Sequence, residues 1–293
     1  MKQTITNLSS IGLLLAAVLA SSGFTALPPS DVATPVLSMK TQKAQSSQTV
    51  APRAVSTCQA IAHLRGDVRL ASGEPLNRDQ VRLTYINHST YLIETPQGVR
   101  IATDYNGYAG PRETPNVVTM NKAHSGHFTM NADPAIEHVL PGWNPNGGAA
   151  DHDVVVGDTY IRNVTTDIRS GFGGAEPDAN SIFIFEVAGL CIGHLGHLHH
   201  ELTDSHIAQI GRLDVLMVPI DGGLTLGHER MSAIVKRLRA SVILPMHRRG
   251  ASIESFLRLF GKDFAHDFRN EDAVTVSLRN LPRQPTIIIL NGV

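Results

Sequence analysis

Hydrophobic and polar positions follow two different patterns along this chain. From residue 81, "VRLTYINHSTYLIET" places two β-rich runs on either side of "NHST", and "PQG" turns the chain into "VRIATDY", a third predicted strand. "NVVTM" (116–120) predicts a short buried strand running into a histidine-containing loop. "HVLPGWNP", "DVVVGDTYIRNVTT" and "NSIFIFEVAGLCIGHLG" predict more strands, with Gly157-Asp158 and Ala188-Gly189 as turns. After residue 200 the period changes. "LTDSHIAQIGRL" reads as a helix with Thr203 at its N-cap, and "LGHERMSAIVKRLRA" as an amphipathic helix. "DVLMVPI" and "SVILPM" are apolar runs of buried-strand length, and "SIESFLRLF" predicts a last helix before the "AVTVSL" and "TIIIL" strands. Hairpins first and strand–helix alternation afterwards predict two sheets with helices outside.

The N-terminus has a different character. Lys2 is the sole charge before Asp31, and "IGLLLAAVL" (11–19) is followed by small residues, with Val18 and Ala20 at the small-residue positions of a cleavage site. This predicts a signal peptide over 1–20, too short to span a bilayer comfortably, and a periplasmic or secreted protein with no stable membrane insertion after cleavage. Residues 21–55 are rich in Pro, Ser, Thr, Gln and Ala, a composition that buries too little apolar surface to order itself, and predict a flexible linker. Residues 56–80 form an N-terminal extension, and the main domain occupies 81–293.

Charge narrows the partners. With 25 basic and 26 acidic residues, nothing predicts a grip on nucleic acid or anionic lipid, so a small-molecule substrate is expected. The two cysteines exclude a disulfide framework. Cys58 and Cys191 could pair after export, but Cys191 lies in an apolar strand and reads better as a small buried hydrophobe. Histidine is more telling: of 14 in the chain, His194, His197, His199 and His200 fall within "CIGHLGHLHHEL".

The candidate chemistry lies just past strand ends. His124 and His127 follow "NVVTM", Asp167 follows "YIRNVTT", His197 ends "CIGHLG" and His247 ends "SVILPM". Neutral imidazoles and a carboxylate converging from separate strands suit zinc, manganese or iron with a position open for water, whose pKa the ion lowers to make a hydroxide nucleophile. Residue types and spacing alone leave loose chelation and catalysis both open. Asp104 in "IATDY" either accepts a proton from a ligand imidazole or caps the turn before Asn106-Gly107, and His88 in "NHST" reads as hydrogen-bonded within its turn. His199 alternates onto the side of His197, whereas His194 and His200 do not. "DGG" and the other glycine pairs read as mobile loops around a pocket.

"YINHSTYLIETPQGVRIATDY", "MNKAHSGH", "HLGHLHHELTDSHIAQIGRLDVLMVPIDGG" and "ILPMH" together resemble the metallo-β-lactamase-fold hydrolases, in the branch of ascorbate-phosphate-lactonase-like and phospholipase-D-like members. The resemblance runs from about Val81 to His247 and implies an α/β fold, a four-layer αββα sandwich with a metal site at the strand ends. Against the family motif His-x-His-x-Asp-His, "KAHSGH" keeps His124 and His127 but has Lys122 for the first histidine and Gly126 for the aspartate. The family's later bridging carboxylate falls on His197, its final ligand on His247, and its intermediate histidine near Asp167, while His88 and Asp104 match positions near the site.

The implied ligand set is therefore His124, His127, His197 and His247, with Asp167 as a fifth. Losing acidic groups makes such a site less anionic, so one divalent ion, zinc ahead of manganese or iron, is expected over two; a second, weaker ion needs His199 or His200 turned inward. Lys122 would stabilise a developing oxyanion, with Asp104 and His199 as the other catalytic candidates. The reading is an exported metal-dependent hydrolase acting on an ester, lactone, amide or phosphodiester. The alternative is a catalytically silent metal- or ligand-binding protein on the same fold.

Overall fold

The computed structural model describes residues 54–59, 76–111, 113–171 and 173–293. The expected signal peptide, and the linker up to residue 53, lie outside the described residues.

Two sheets face each other. The first contains β1 (Val81–Asn87), β2 (Thr90–Glu94), β3 (Arg100–Ala102), β4 (Val117–Met120) and β5 (His138–Pro141). The second begins with β6 (Asp153–Val156), β7 (Thr159–Arg169), β8 (Ala175–Val187) and β9 (Leu190–His194). Then α1 (Asp204–Ile210), β10 (Val215–Pro219), α2 (His228–Leu238), β11 (Val242–Met246), α3 (Ile253–Leu257), β12 (Ala265–Phe268), β13 (Ala273–Val276) and β14 (Thr286–Ile289) complete the chain. The six-stranded sheet runs β13-β1-β2-β3-β4-β5 and the eight-stranded sheet β12-β14-β11-β10-β9-β8-β7-β6.

The apolar runs explain the layering. In β8, Phe183 and Phe185 face the other sheet while Ile182 and Ile184 face the helices; Val215 and Met217 against Leu216 and Val218 divide β10 in the same way. A strand covered on both faces must be apolar at every position, which is why these segments show no alternation. The helices cover the outer face of the larger sheet through Ile210, Met231, Ile234, Val235 and Phe256. The outer face of the smaller sheet carries a minor cluster, Ala102, Val118 and Met120 with loop residues Tyr105 and Ile136. Among the described residues no helix covers that face; loops do. Among the described residues the sandwich has its helical cover concentrated on one side.

Several sequence expectations need correction. Cys191 is buried as anticipated, but it is disulfide-bonded to Cys58, with Cα atoms 5.9 Å apart. Strand β12 was not predicted: "AHDF" pairs along the edge with β14, and its alternating half-buried and exposed residues lack an apolar run. The last helix is shorter than "SIESFLRLF" suggests, ending at Leu257. Thr203 caps α1, its hydroxyl accepting from the His206 amide while the His206 ring accepts from the Thr203 amide.

Candidate metal centre

Strand ends of both sheets deliver the polar groups to one place. His88 sits in the β1–β2 turn, Asp104 follows β3, and His124 and His127 follow β4. His197 and His199 follow β9, Asp221 follows β10, and His247 directly follows β11. Three of these residues have left-handed backbones, His88 (φ 39°), Asp104 (φ 43°) and His247 (φ 54°). Non-glycine residues seldom adopt that region, and it persists only where the surroundings over-determine it. Here the His247 amide donates to the His88 carbonyl at 2.6 Å, the Tyr85 hydroxyl donates to the same oxygen at 3.2 Å, and Thr90 Oγ1 donates to the Asp104 carbonyl at 3.0 Å.

His88, His124, His127 and His247 each present a ring nitrogen, all within 4.8 Å of one another. Two carboxylates set the tautomers. His127 Nδ1 donates to Asp104 Oδ2 at 2.5 Å, and Asp104 Oδ1 accepts from Asn121 Nδ2 at 2.8 Å. His247 Nδ1 donates to Asp221 Oδ1 at 3.1 Å. Each bond holds the proton on Nδ1 and leaves the Nε2 lone pair facing the cluster, the arrangement that carboxylate partners impose on metal-binding imidazoles. His124 meets the Gly126 amide through Nδ1 at 3.2 Å and His247 Nε2 through Nε2 at 3.4 Å.

Polar satisfaction provides the test for an ion. The buried Nε2 atoms of His88, His127 and His197 have no hydrogen-bond partner. Buried ring nitrogens without partners are costly, and a bound cation relieves those of His88 and His127, whose ligand atoms belong to the group lying within 4.8 Å of one another. The donor set of neutral imidazoles fits zinc and the neighbouring first-row metals.

Burial favours the neutral form of His88, His124, His127 and His197. Burial, reinforced by His247, His127 and His124, lowers His88 to about 3. Burial also lowers His124, His127 and His197, each with neighbouring imidazoles adding to the effect. Burial raises the Asp104 carboxyl against the opposing pull of His194 and Asn121. For Asp221 burial acts upward, but bonds from His247, Thr225 and Gly223 prevail and hold it well below the usual carboxylate range. Neutral imidazole is the form that binds a cation.

The residues singled out in the sequence separate into groups. His124, His127 and His247 come together, and His197 lies beside them with ring centroids 4.7–5.0 Å away. His199 contacts His197 rather than the cluster centre, Nε2 to Nδ1 at 2.6 Å. Asp167 is not brought to the cluster. Strand β7 continues to Arg169 with Val164, Thr166 and Ile168 buried, so alternation turns Asp167 outward, where it accepts from the Asp178 amide and lines a polar cavity of ≈ 400 Å³ with His200 and His206. The Lys122 ammonium pairs with Glu176 at a position about two-fifths exposed, so it is engaged at the surface rather than held for an oxyanion. His194 is a satisfied core residue, accepting from the Gly196 amide and donating to the Ser89 carbonyl.

Three contributors were not assigned to the site from sequence. His88 matches a position near the site in the resembled family but reads as hydrogen-bonded within its own turn, and the fold places its ring 4.0 Å from that of His247. A Cβ at Gly126 would lie 2.9 Å from both His88 and His124, so the missing aspartate and the inward His88 are two sides of one packing solution. Asp221 belongs to "PIDGG", read as a mobile loop, yet its carboxylate accepts from the Gly223 and Thr225 amides as well as from His247. Arg169 fastens that loop from outside, its guanidinium donating to the Gly223 and Thr225 carbonyls.

Comparisons with known proteins bear on the family and the fold. Residues 82–247, more than half of the chain, match the family model described as the β-lactamase superfamily domain. A candidate Zn-dependent hydrolase of the metallo-β-lactamase superfamily from Thermotoga maritima is similar at 26% identity and TM-score 0.53, over 72% of this chain and 98% of that one. A candidate metal-dependent hydrolase from Parabacteroides distasonis shares the fold at 14% identity and TM-score 0.50, covering 62% and 89%. No curated protein sequence matches the chain.

Proposed function

Because the chain belongs to the metallo-β-lactamase superfamily, we propose that it is a metal-dependent hydrolase whose ion is held by His88, His124, His127 and His247. The observation that carries this reading is the convergence of four ring nitrogens within 4.8 Å, with buried Nε2 atoms of His88 and His127 left without partners. A divalent ion there supplies a Lewis acid that brings the pKa of water toward neutrality. The chain's part is orientation. Asp104, itself held by Asn121, fixes the His127 ring, Asp221 fixes His247, and the His247 amide fixes the turn that carries His88.

Zinc is the expected metal, at one equivalent, since four histidines and no inward carboxylate make a weakly anionic pocket. The substrate class is an ester, lactone, amide or phosphodiester, with the lactonase-like and phospholipase-D-like branch as the reading taken forward. Export to the periplasm or beyond is supported by the apolar N-terminal run and by the Cys58–Cys191 disulfide, a bond that persists in oxidising compartments. Metal analysis of protein purified without a histidine tag, together with a panel of lactones, phosphodiesters, thioesters and β-lactams, tests the proposal. One equivalent of metal with turnover supports it; two equivalents overturn the mononuclear reading. Stoichiometric metal with silence across the panel selects a binding protein, the reading favoured by Lys122 turning to Glu176 and by the absent aspartate at Gly126.

A further inference from the structure

The geometry points to His197 as a hydrogen-bond donor to the substrate oxygen that gains negative charge, and away from a role as a metal ligand. This rests on the reading that His88, His124, His127 and His247 hold the ion.

The direction of every hydrogen bond in the chain leading to His197 is forced from its far end. The main-chain N–H of Arg169 meets His199 Nδ1 at 2.6 Å. An amide N–H can only donate, so His199 Nδ1 accepts, and a neutral imidazole that accepts at Nδ1 carries its proton on Nε2. That Nε2–H faces His197 Nδ1 at 2.6 Å, so His197 Nδ1 also accepts and its proton sits on Nε2. His197 Nε2 is buried and unpartnered, and its ring lies 4.7 Å from His127 and 4.8 Å from His247. The relay thus aims an N–H, with no lone pair, at the cluster, and its two links at 2.6 Å are shorter than the 3.2 Å contact of the Gly126 amide with His124 Nδ1, which must yield for His124 to present a lone pair at Nε2. His127 and His247 have the opposite arrangement, with protons on Nδ1 fixed by carboxylates and lone pairs aimed inward.

The backbone fixes this placement. The His197 amide donates to Asn180 Oδ1 at 2.7 Å. Gly196 has φ 61°, and a Cβ there would fall 2.4 Å from Asn121 Nδ2 and Asn180 Oδ1, so only glycine lets the loop lie this close. A preorganised, desolvated donor has its effect where charge develops during attack on a carbonyl or phosphoryl group. It transfers no proton in this role.

The test uses the full-length protein labelled with ¹⁵N-histidine, metal-free and zinc-loaded, with inorganic phosphate as the anionic probe. Long-range ¹H–¹⁵N correlation should show the His197 proton on Nε2 in both forms, moving downfield when phosphate is added to the zinc-loaded protein. His197→Phe should take up as much zinc as wild type but bind phosphate roughly 10- to 100-fold more weakly, the range for losing a hydrogen bond to a charged group. His199→Phe should leave His197 free to exchange tautomers. A His197 proton on Nδ1, a metal-shifted His197 Nε2, or loss of zinc in His197→Phe would overturn the inference. Wild-type protein that binds no zinc would instead sink the hydrolase reading, and the metal-free spectrum would still decide the tautomer.

Discussion

Two buried polar clusters in this protein contrast in one respect. Around Glu186 every partner is present: Oε1 accepts from Ser56 Oγ and Arg162 Nε, and Oε2 accepts from the Thr57 amide and hydroxyl and the Cys58 amide. The remaining Arg162 nitrogens donate to the Gln209 and Ile210 carbonyls. This cluster is closed, and with the Cys58–Cys191 bridge it clamps the 56–59 segment onto β8 and α1. Around His127 the same count leaves three Nε2 atoms over. Both clusters are buried and rich in polar groups, so burial does not distinguish them; satisfaction does. A saturated network holds structure, and an unsaturated one is waiting for a ligand.

The largest expected effect tests the open cluster. His247→Ala should purify without its ion and without hydrolase activity while keeping its fold by circular dichroism; full metal content would remove His247 from the ligand set. Next comes the closed cluster. Glu186→Ala strands a buried guanidinium and should cost about 3–5 kcal/mol in denaturant unfolding, with metal content unchanged. If metal is lost as well, the clusters are not independent. Asp104→Asn, which weakens the hold on His127 and leaves the ligand itself in place, should lower metal affinity about 10- to 100-fold in chelator competition.

The smallest effect is a pH dependence. Burial acts to raise Glu186, but bonds from Ser56, Arg162 and Thr57 outweigh it and hold its pKa below the ordinary value. Its contribution is complete above the unfolded-state pKa of about 4.3 and is lost as pH falls through the lower folded-state value. Acid unfolding of wild type should therefore steepen below about pH 4, and Glu186→Gln should flatten that limb while lowering stability at neutral pH. An identical acid limb in the variant would show that other carboxylates dominate.

Much of this was legible in the chain. The β8, β10 and β11 strands announce themselves as apolar runs because both faces are covered; His247 stands directly after β11, and His124 and His127 lie in the loop after the short apolar β4. What escaped depends on contacts between distant segments. His88 and Asp221 look like ordinary turn residues until β1, β10 and β11 are adjacent, and the Cys58–Cys191 pair spans a separation of 133 residues. Asp167 misled for a local reason, since it reads as lying past a strand end, whereas β7 runs on to Arg169 and alternation puts it on the exposed face. His197 stands where sequence comparison expects a ligand, but which of its nitrogens carries the proton is decided by the Arg169 amide, which no spacing rule would reveal.

The hydrogen bond from the His247 amide to the His88 carbonyl has a topological consequence. It joins residues 247 − 88 = 159 positions apart, close to the two ends of the 82–247 family match. An ion held by both side chains would act there as a reversible cross-link beside the permanent one at Cys58–Cys191. Closing so long a loop removes freedom chiefly from the unfolded chain, so the ion would set how cooperatively the two sheets come apart as well as the chemistry between them.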